Sequence, residues 1–155
     1  MAQAPVMTLT DTNNLTISNL NFGVVDAGNQ TGGIPVRIWN NFANAAGISD
    51  AINPTITTMT FNGWDSGDTV ANGNEIVVNQ FIQVQNSSSG QTTYFAIGGA
   101  NVQSISDSPP QAGNTPPPPT IHANNYAACL IRAVIPASAS AGNISLLVRI
   151  AYQYN

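Results

Sequence analysis

The stretch YAACLIRAVIP at residues 126–136, followed by NISLLVRIAYQY at 143–154, decides the fold class of this chain. The first segment is apolar on both faces, as a central strand is. In the second segment every other residue from position 144 onward is apolar, and this period of two is typical of a strand with one buried face. The small residues of PASASAG at 136–142 separate the two segments and favour a turn. The pattern predicts an antiparallel hairpin over 126–135 and 143–153, with four core residues on its second strand: Ile144, Leu146, Val148 and Ile150.

The remaining segments also have the lengths and patterns of short strands. IPVRIWN at 34–40 alternates between apolar residues on one side and Pro35, Arg37 and Trp39 on the other. TITTMTF at 55–61 is rich in β-branched residues. IVVNQFIQV at 76–84 is followed by an NSSSG loop and TTYFAIGG at 92–99, which predicts a second hairpin. About seven to nine short strands and no convincing helix predict a single all-β domain, an antiparallel β-sandwich of the Ig-like or jelly-roll type.

Two segments lack the periodic apolar content of core strands. Residues 1–13 are expected to form an N-terminal arm in front of a sandwich domain at 14–155. Six of the ten prolines lie between 106 and 120, which predicts a Pro-rich surface loop at 107–120 in extended geometry. Segments of this kind order against neighbouring chains, where proline supplies low-entropy apolar surface. The candidates for such contacts are Pro5, Val6, Met7, Leu9, Pro116, Pro117, Pro118 and Pro119.

Charged residues are scarce, at 6% of the chain against a typical value of about 25%. Three arginines and no lysine stand against seven acidic residues, which gives a net charge of −4. Binding to nucleic acid or to an anionic membrane surface needs several cations, so we expect neither partner. No stretch reaches the roughly 18 apolar residues that span a bilayer. The amide- and hydroxyl-rich surface instead suits contacts made by shape, backbone hydrogen bonds and apolar packing.

The sequence offers few residues for catalysis or metal binding. His122 and Cys129 are each the only residue of their type, which is too few for a four-ligand zinc site within one chain. No G-x-S-x-G motif surrounds a serine. The carboxylates of DSGD at 65–68 and Glu75 lack the regular spacing of calcium loops. We therefore predict no enzyme activity, no catalytic residue, no metal and no cofactor.

Sugar binding stays open as an alternative. Small β-sandwiches bind sugar rings on exposed aromatic side chains, with amides as hydrogen-bond partners. Trp39 lies on the non-core side of its predicted strand, and Trp64 lies in a predicted loop. These two residues are the candidates for a sugar platform. The other interpretation is that Trp39 covers a second sheet and Trp64 closes one end of the sandwich.

Two stretches resemble known β-sandwich proteins. LNFGVVDAG at 20–28 followed by IPVRIWNN at 34–41 resembles the Phe-Gly-x-Val-x-x-Gly motif, the alternating strand and the Asn of immunoglobulin-like sandwiches. NNYAACLIRAVIPASASAGNISLLVRIAYQY at 124–154 resembles the closing hairpin of β-sandwich structural proteins of tailed phages. The resemblance implies an Ig-like sandwich with a structural role in a virion. It supplies no catalytic residues to transfer.

Together these features predict a non-enzymatic structural assembly protein. The favoured role is a virion component, such as a capsid decoration (cement) protein or a small tail protein, that binds copies of itself or a capsid or tail lattice. The first 30 residues lack the basic start and apolar core of a secretory signal, so we expect assembly in the host cytoplasm. One alternative is a subunit of an extracellular filament, in which a strand completes the next subunit's sheet. The other is a carbohydrate-binding module, which would be a monomer whose tryptophan fluorescence responds to glycans.

Overall fold

Antiparallel strands dominate the computed structural model, which describes residues 3–60, 73–108, 118–140 and 146–155. A 3-10 turn at Ser87–Ser89 follows the fourth strand. The predicted all-β, antiparallel sandwich in a single domain is confirmed. In chain order the elements are β1 Met7–Thr10, β2 Ile34–Asn40, β3 Ala51–Met59, α1 Gly73–Val78, β4 Ile82–Asn86, β5 Phe95–Ile97, β6 Gln103–Ser104, β7 Thr120–Ile121, β8 Asn125–Ala133 and β9 Leu147–Gln153.

β8 lies at the centre of a five-stranded sheet with the order β1-β2-β8-β4-β5. β2 flanks it on one side, where Val36 lies opposite Cys129. β4 flanks it on the other side, where Val84 lies opposite Ile131. Residues that face each other across strands point to the same side of a sheet, so these four side chains belong to one inward layer. A strand that is apolar on both faces suits this central position.

β3 is the centre of the second sheet. β9 pairs along one edge of β3, and the short strands β6 and β7 share its other edge, opposite 55–56 and 51–52. The register between β3 and β9 shifts between Ile52 and Thr55. Asn53 lies at the shift with a φ of 50°, in the left-handed region that asparagine tolerates better than most residues. The shift is therefore a bulge that bends β3 around the core.

The two sheets bury an apolar core between them. Isoleucines from both sheets are no more than 2% exposed, among them Ile38, Ile82, Ile131, Ile56 and Ile121. The amide of Asn40 is also buried, and its Nδ2 donates to the carbonyl oxygens of Ser49 and Ile121 at 2.9 and 3.1 Å. A buried amide is stable when its donors are satisfied, so Asn40 ties β2 to the opposite sheet.

β8 and β9 do not form the predicted hairpin, because they lie in different sheets. β2 and β4 occupy both edges of β8, while β9 pairs with β3. The predicted pairing of 126–135 with 143–153 is therefore wrong. The predicted alternation is right where the structure describes it, since Leu146, Val148 and Ile150 pack against the core; Ile144 lies outside the described residues. Alternation decides which face of a strand is buried, but it does not decide which strand lies beside it.

The predicted strand over 76–84 is wrong in its first half. Helix α1 occupies that part, and β4 begins only at Ile82. Ile76 and Val77 are both buried, whereas Val78 is 53% exposed. Two adjacent buried residues fit a helical turn and not the alternation of a strand. The predicted hairpin between β4 and β5, around the serine-rich turn, is confirmed.

The N-terminal segment belongs to the sandwich. β1 pairs with β2 as an edge strand, with Leu9 opposite Ile38. Upstream of β1, Gln3 forms a bridge to Ile48. These contacts correct the prediction of an arm over residues 1–13 that lies outside the domain. A strand of four residues is too short for its period of two to stand out in the sequence.

The structure describes both ends of the predicted Pro-rich loop at 107–120. The backbone N–H of Asp107 donates to the carbonyl oxygen of Thr120 at 3.0 Å, so the two ends meet beside β7. Residues 109–117, which include Pro116 and Pro117, lie outside the described residues. Thr120 is the first residue of β7, so the last position of the predicted loop belongs to a strand.

Candidate interaction surfaces

His122, Asp107 and Ser108 form a polar cluster beside β7. Nδ1 of His122 lies 2.8 Å from Oδ2 of Asp107, and the backbone N–H of His122 donates to the same oxygen at 2.7 Å. Oγ of Ser108 donates to the other carboxylate oxygen at 3.2 Å. The carboxylate thus lies between the imidazole and the hydroxyl, whereas a hydrolytic triad needs the imidazole next to the hydroxyl. The cluster fastens a loop to a strand and is not arranged for nucleophilic catalysis.

Cys129 is buried, and Glu75 is hydrogen-bonded within the chain. Cys129 lies on the inward side of β8, and burial raises the pKa of its thiol from 9.0 to about 12, so it stays protonated and unreactive at neutral pH. The Glu75 carboxylate accepts the backbone N–H of Ser140 at 3.1 Å, and residues 65–68 lie outside the described part of the chain. Within that part, no three His, Cys, Asp or Glu side chains are grouped to hold a metal ion.

The sandwich has an open side between the edge strands β1 and β9, which we call the seam. A cavity of about 130 Å³ opens there, lined by uncharged residues of β1, β2 and β9. Val148 and Ile150 of β9 face this cavity and are only half-buried. Oη of Tyr152 donates to the carbonyl oxygen of Pro5 at 2.9 Å and fastens β9 to the N-terminal segment. The full lining is Met7, Thr8, Leu9, Ile38, Val148 and Ile150.

β9 presents one of its two backbone edges at the seam. Across the described ranges, six of its seven residues pair with β3 on one side, and no strand pairs with the other side. An open backbone edge of this kind is a template for a further strand. Three side chains of β9 are exposed: Leu147, Ala151 and Gln153.

The predicted contact residues of the N-terminal segment have different positions. Pro5 is buried within the chain, and Met7 and Leu9 pack against its own core. Val6 is 52% exposed and points outward. Pro5 is therefore closed to another chain, whereas contacts through Val6, or through Met7 and Leu9 at the seam, stay predictions.

The predicted contact residues of the Pro-rich loop lie at its end, next to β7. Pro118 and Pro119 are exposed. The carbonyl oxygen of Pro119 accepts the backbone N–H of Asn53 at 2.7 Å, at the bulge of β3. Both prolines are thus held on the second sheet with their rings accessible, and their contact with another chain also stays a prediction.

The outer side of the five-stranded sheet gathers aromatic and cationic residues. Trp39 lies opposite Tyr126, and Arg37 lies opposite Ala128. Arg132 follows on β8 at the same side, because it is four residues after Ala128. We call this surface the Arg face. It consists of Arg37, Trp39, Tyr94, Tyr126, Leu130 and Arg132.

Each arginine of the Arg face lies over a tyrosine ring. Cζ of Arg37 is 4.8 Å from the ring centroid of Tyr126. Cζ of Arg132 is 3.9 Å from the ring centroid of Tyr94. Stacking of a guanidinium on an aromatic ring is attractive and fixes the plane of the cation. The two side chains are therefore held in place on the sheet.

Both guanidiniums donate hydrogen bonds to uncharged amides. Nη1 of Arg37 donates to Oδ1 of Asn14 at 2.7 Å. Nε and Nη2 of Arg132 donate to Oε1 of Gln83 at 2.9 and 2.7 Å. Among the described residues, neither arginine forms an ion pair with a carboxylate. No carboxylate of the described chain therefore neutralises either arginine.

Trp39 lies on the Arg face, as the alternation of its strand predicts. Its ring contacts Phe42 at a centroid distance of 5.3 Å and Tyr126 at 4.6 Å. Its Nε1 donates to Oγ1 of Thr10 at 3.1 Å. The indole is thus engaged by its own chain on several sides, which leaves less of it for a sugar ring. Trp64, the other residue of the predicted sugar platform, lies outside the described residues.

The sequence pattern does not predict that Tyr94, Tyr126 and Arg132 share one surface. A partial signal exists, because Tyr126 and Arg132 share one side of β8 by parity. β8 is apolar on both sides, however, so its outer side does not stand out. The meeting of residues from β2, β5 and β8 depends on strand order and register, which a single sequence does not give.

Comparison with known proteins gives no match to this chain among protein-family models, curated proteins or solved structures. In the part of the chain that the structure describes, no helix is long and apolar enough to cross a membrane. The seam and the Arg face are therefore the two features from which we infer a function.

Proposed function

We propose that this chain is a non-enzymatic structural assembly protein, a virion component such as a capsid decoration protein or a small tail protein. The observation that carries the proposal is the seam. There, a seven-residue edge strand lies beside half-buried apolar side chains. A neighbouring subunit that adds a strand at this edge extends the sheet through backbone hydrogen bonds and covers the apolar side chains.

The occupant that we assign to the seam is a second copy of this chain. The cavity lining is uncharged, and a chain with a net charge of −4 repels its own copies weakly. If the two β9 strands pair antiparallel around a two-fold axis, one sheet continues from the first copy into the second. Such an interface is isologous, so one surface patch supplies both halves. Val148 and Ile150 gain burial in this arrangement.

The test is the oligomeric state of the purified chain, measured by light scattering and negative-stain imaging over a range of concentrations. We expect an oligomer that persists in 1 M NaCl, where the screening length is about 3 Å, because backbone and apolar contacts hold it. Ala151→Lys places a charge on the exposed side of β9 and is expected to give a monomer. The matched control is Val24→Lys, which adds the same charge at a residue that is 98% exposed in a loop.

Four outcomes contradict this proposal. A wild-type chain that is monomeric at every concentration has no self-assembly at the seam. An oligomer that dissociates in 1 M NaCl is held by ion pairs and not by the seam. A monomer whose tryptophan fluorescence responds to glycans supports a carbohydrate-binding module, while open filaments in the images support the filament subunit.

A further inference from the structure

The Arg face carries positive charge that the described chain does not neutralise. The chain has only three cationic residues and a net charge of −4, yet Arg37 and Arg132 lie on one side of one sheet. Both are hydrogen-bonded to uncharged amides. We propose that the Arg face is the docking surface for an acidic protein partner whose carboxylates pair with these two arginines. The inference rests on the proposed function, since it gives the chemistry of the lattice protein to which the assembly protein binds.

The spacing of the two arginines favours a protein surface over a small anion. Arg37 lies opposite Ala128, four residues before Arg132 on β8. At about 3.3 Å per residue, the two positions are roughly 13 Å apart along the strands. One phosphate or carboxylate cannot contact both guanidiniums across that distance. Two carboxylates on a folded partner can do so.

An apolar strip separates the two cations. Leu130 lies between Ala128 and Arg132 on the outer side of β8, opposite Pro35 of β2. The outer layer thus alternates between cationic and apolar groups along the sheet. Interfaces are built in this way, with aromatic and apolar anchors at the centre and charges that set the orientation. Trp, Tyr and Arg are also the residues most enriched among interface hot spots, and the Arg face contains all three types.

Both guanidiniums are prepared for carboxylate binding. A guanidinium has five N–H donors in a planar fork that matches the two oxygens of a carboxylate. Arg37 uses its Nη1 on Asn14, and Arg132 uses Nε and Nη2 on Gln83, so each keeps N–H donors for a partner. The tyrosine rings hold the two planes before binding, so less side-chain entropy is lost when a partner docks.

An acidic polysaccharide is the weaker candidate for this surface. Sugar recognition on a sheet uses the open face of an aromatic ring as a platform. Arg37 and Trp39 both lie against Tyr126, and Arg132 lies over Tyr94. The aromatic rings therefore support the arginines, and the groups left to meet a partner are N–H donors and apolar edges.

The test uses fluorescently labelled poly-L-glutamate as the probe and measures its anisotropy with the full chain at low ionic strength. Chain and probe are both negatively charged overall, so binding requires a local cationic surface. We expect Arg37→Gln and Arg132→Gln each to weaken binding by about fivefold or more, and the double variant to remove it. The matched control is Arg149→Gln, which removes the same charge from β9 in the other sheet and is expected to change binding less than about twofold. Arg37→Lys keeps the charge without the planar fork and is expected to restore part of the affinity.

Thermal unfolding of each variant first shows that it is folded. The inference is overturned if the folded wild type does not bind the probe, or if Arg149→Gln weakens binding as much as the two face variants. It is also overturned if polygalacturonate binds more tightly than poly-L-glutamate, because the surface then prefers an acidic polysaccharide. Light scattering of the same samples in 1 M NaCl tests the proposed function separately. A monomeric wild type that still binds the probe contradicts the proposed function alone, and an oligomer that does not bind it contradicts this inference alone.

Discussion

β8 and β9 have similar apolar patterns, yet they are buried to different extents. The inward side chains of β8, which include Cys129 and Ile131, are no more than 2% exposed. Those of β9, which include Val148 and Ile150, are half-buried. β8 has a neighbour on both edges, and β9 pairs with β3 alone within the described chain. The solvent exposure of a strand's inward side chains therefore depends on the strands that flank it as much as on its sequence pattern.

Truncation of a β8 residue is expected to have the largest effect on stability. Ile131→Ala removes three methylene-equivalents from a site that is 1% exposed and closed on both sides. We expect the free energy of unfolding to fall by about 2–5 kcal/mol, because the removed atoms lose their transfer free energy and the cavity left behind adds a further cost. Urea denaturation measures this change, provided that the m-value, the slope of the free energy against urea concentration, is the same in both proteins. A loss below about 1 kcal/mol would mean that the centre of the core is looser than the structure shows.

The same truncation on β9 sharpens the comparison. Ile150→Ala is expected to lower the free energy of unfolding by about 1–2 kcal/mol at low protein concentration, because part of the side chain already contacts solvent. The measurement is urea denaturation repeated at increasing protein concentration. If a second copy covers the seam, the loss grows with concentration for Ile150→Ala. An effect as large as that of Ile131→Ala in the dilute protein would contradict an open seam.

The pH dependence of stability shows, through the Cys129 thiol, whether water reaches the inward face of β8. Burial raises its pKa to about 12 in the folded chain, against 9.0 when it is exposed. Between these values the unfolded chain loses the thiol proton and the folded chain keeps it, so stability is fully present below pH 9 and falls as the pH rises. The expected slope is roughly 1.4 kcal/mol per pH unit.

Chemical denaturation of the wild type and of Cys129→Ala between pH 8 and pH 11 isolates this effect. The two proteins differ only at residue 129, so the difference between the two curves belongs to the thiol. A difference that stays constant with pH would show that water reaches the inward face of β8.

The fold class was predictable because it depends on local patterns. The alternation of β2 correctly placed Arg37 and Trp39 on the outer side of the sheet, and the alternation of β9 correctly placed Val148 inward. β1 was missed, since four residues give too short a period. The pairing of β8 with β9 was wrong, since two apolar strands joined by a short connection are also compatible with two different sheets.

The candidate surfaces were less predictable than the fold. The seam exists because β1 and β9 are the edge strands of facing sheets, and the order of strands across a sheet is not contained in the period of any one strand. The Arg face brings Tyr94 of the segment before β5 next to Arg132 of β8. These residues are far apart in the chain and meet only through the register of three strands.

The pairing of β3 with β9 also has a consequence for the order of events during synthesis. Thr55 pairs with Ala151, about a hundred residues later, so the second sheet must wait for a partner that emerges long after β3. All five strands of the first sheet are complete once Ala133 has been made. Pairing over such sequence distances is slow, so we expect the second sheet to close last. In the proposed assembly, pairing through β9 is therefore expected only after this last strand has joined β3.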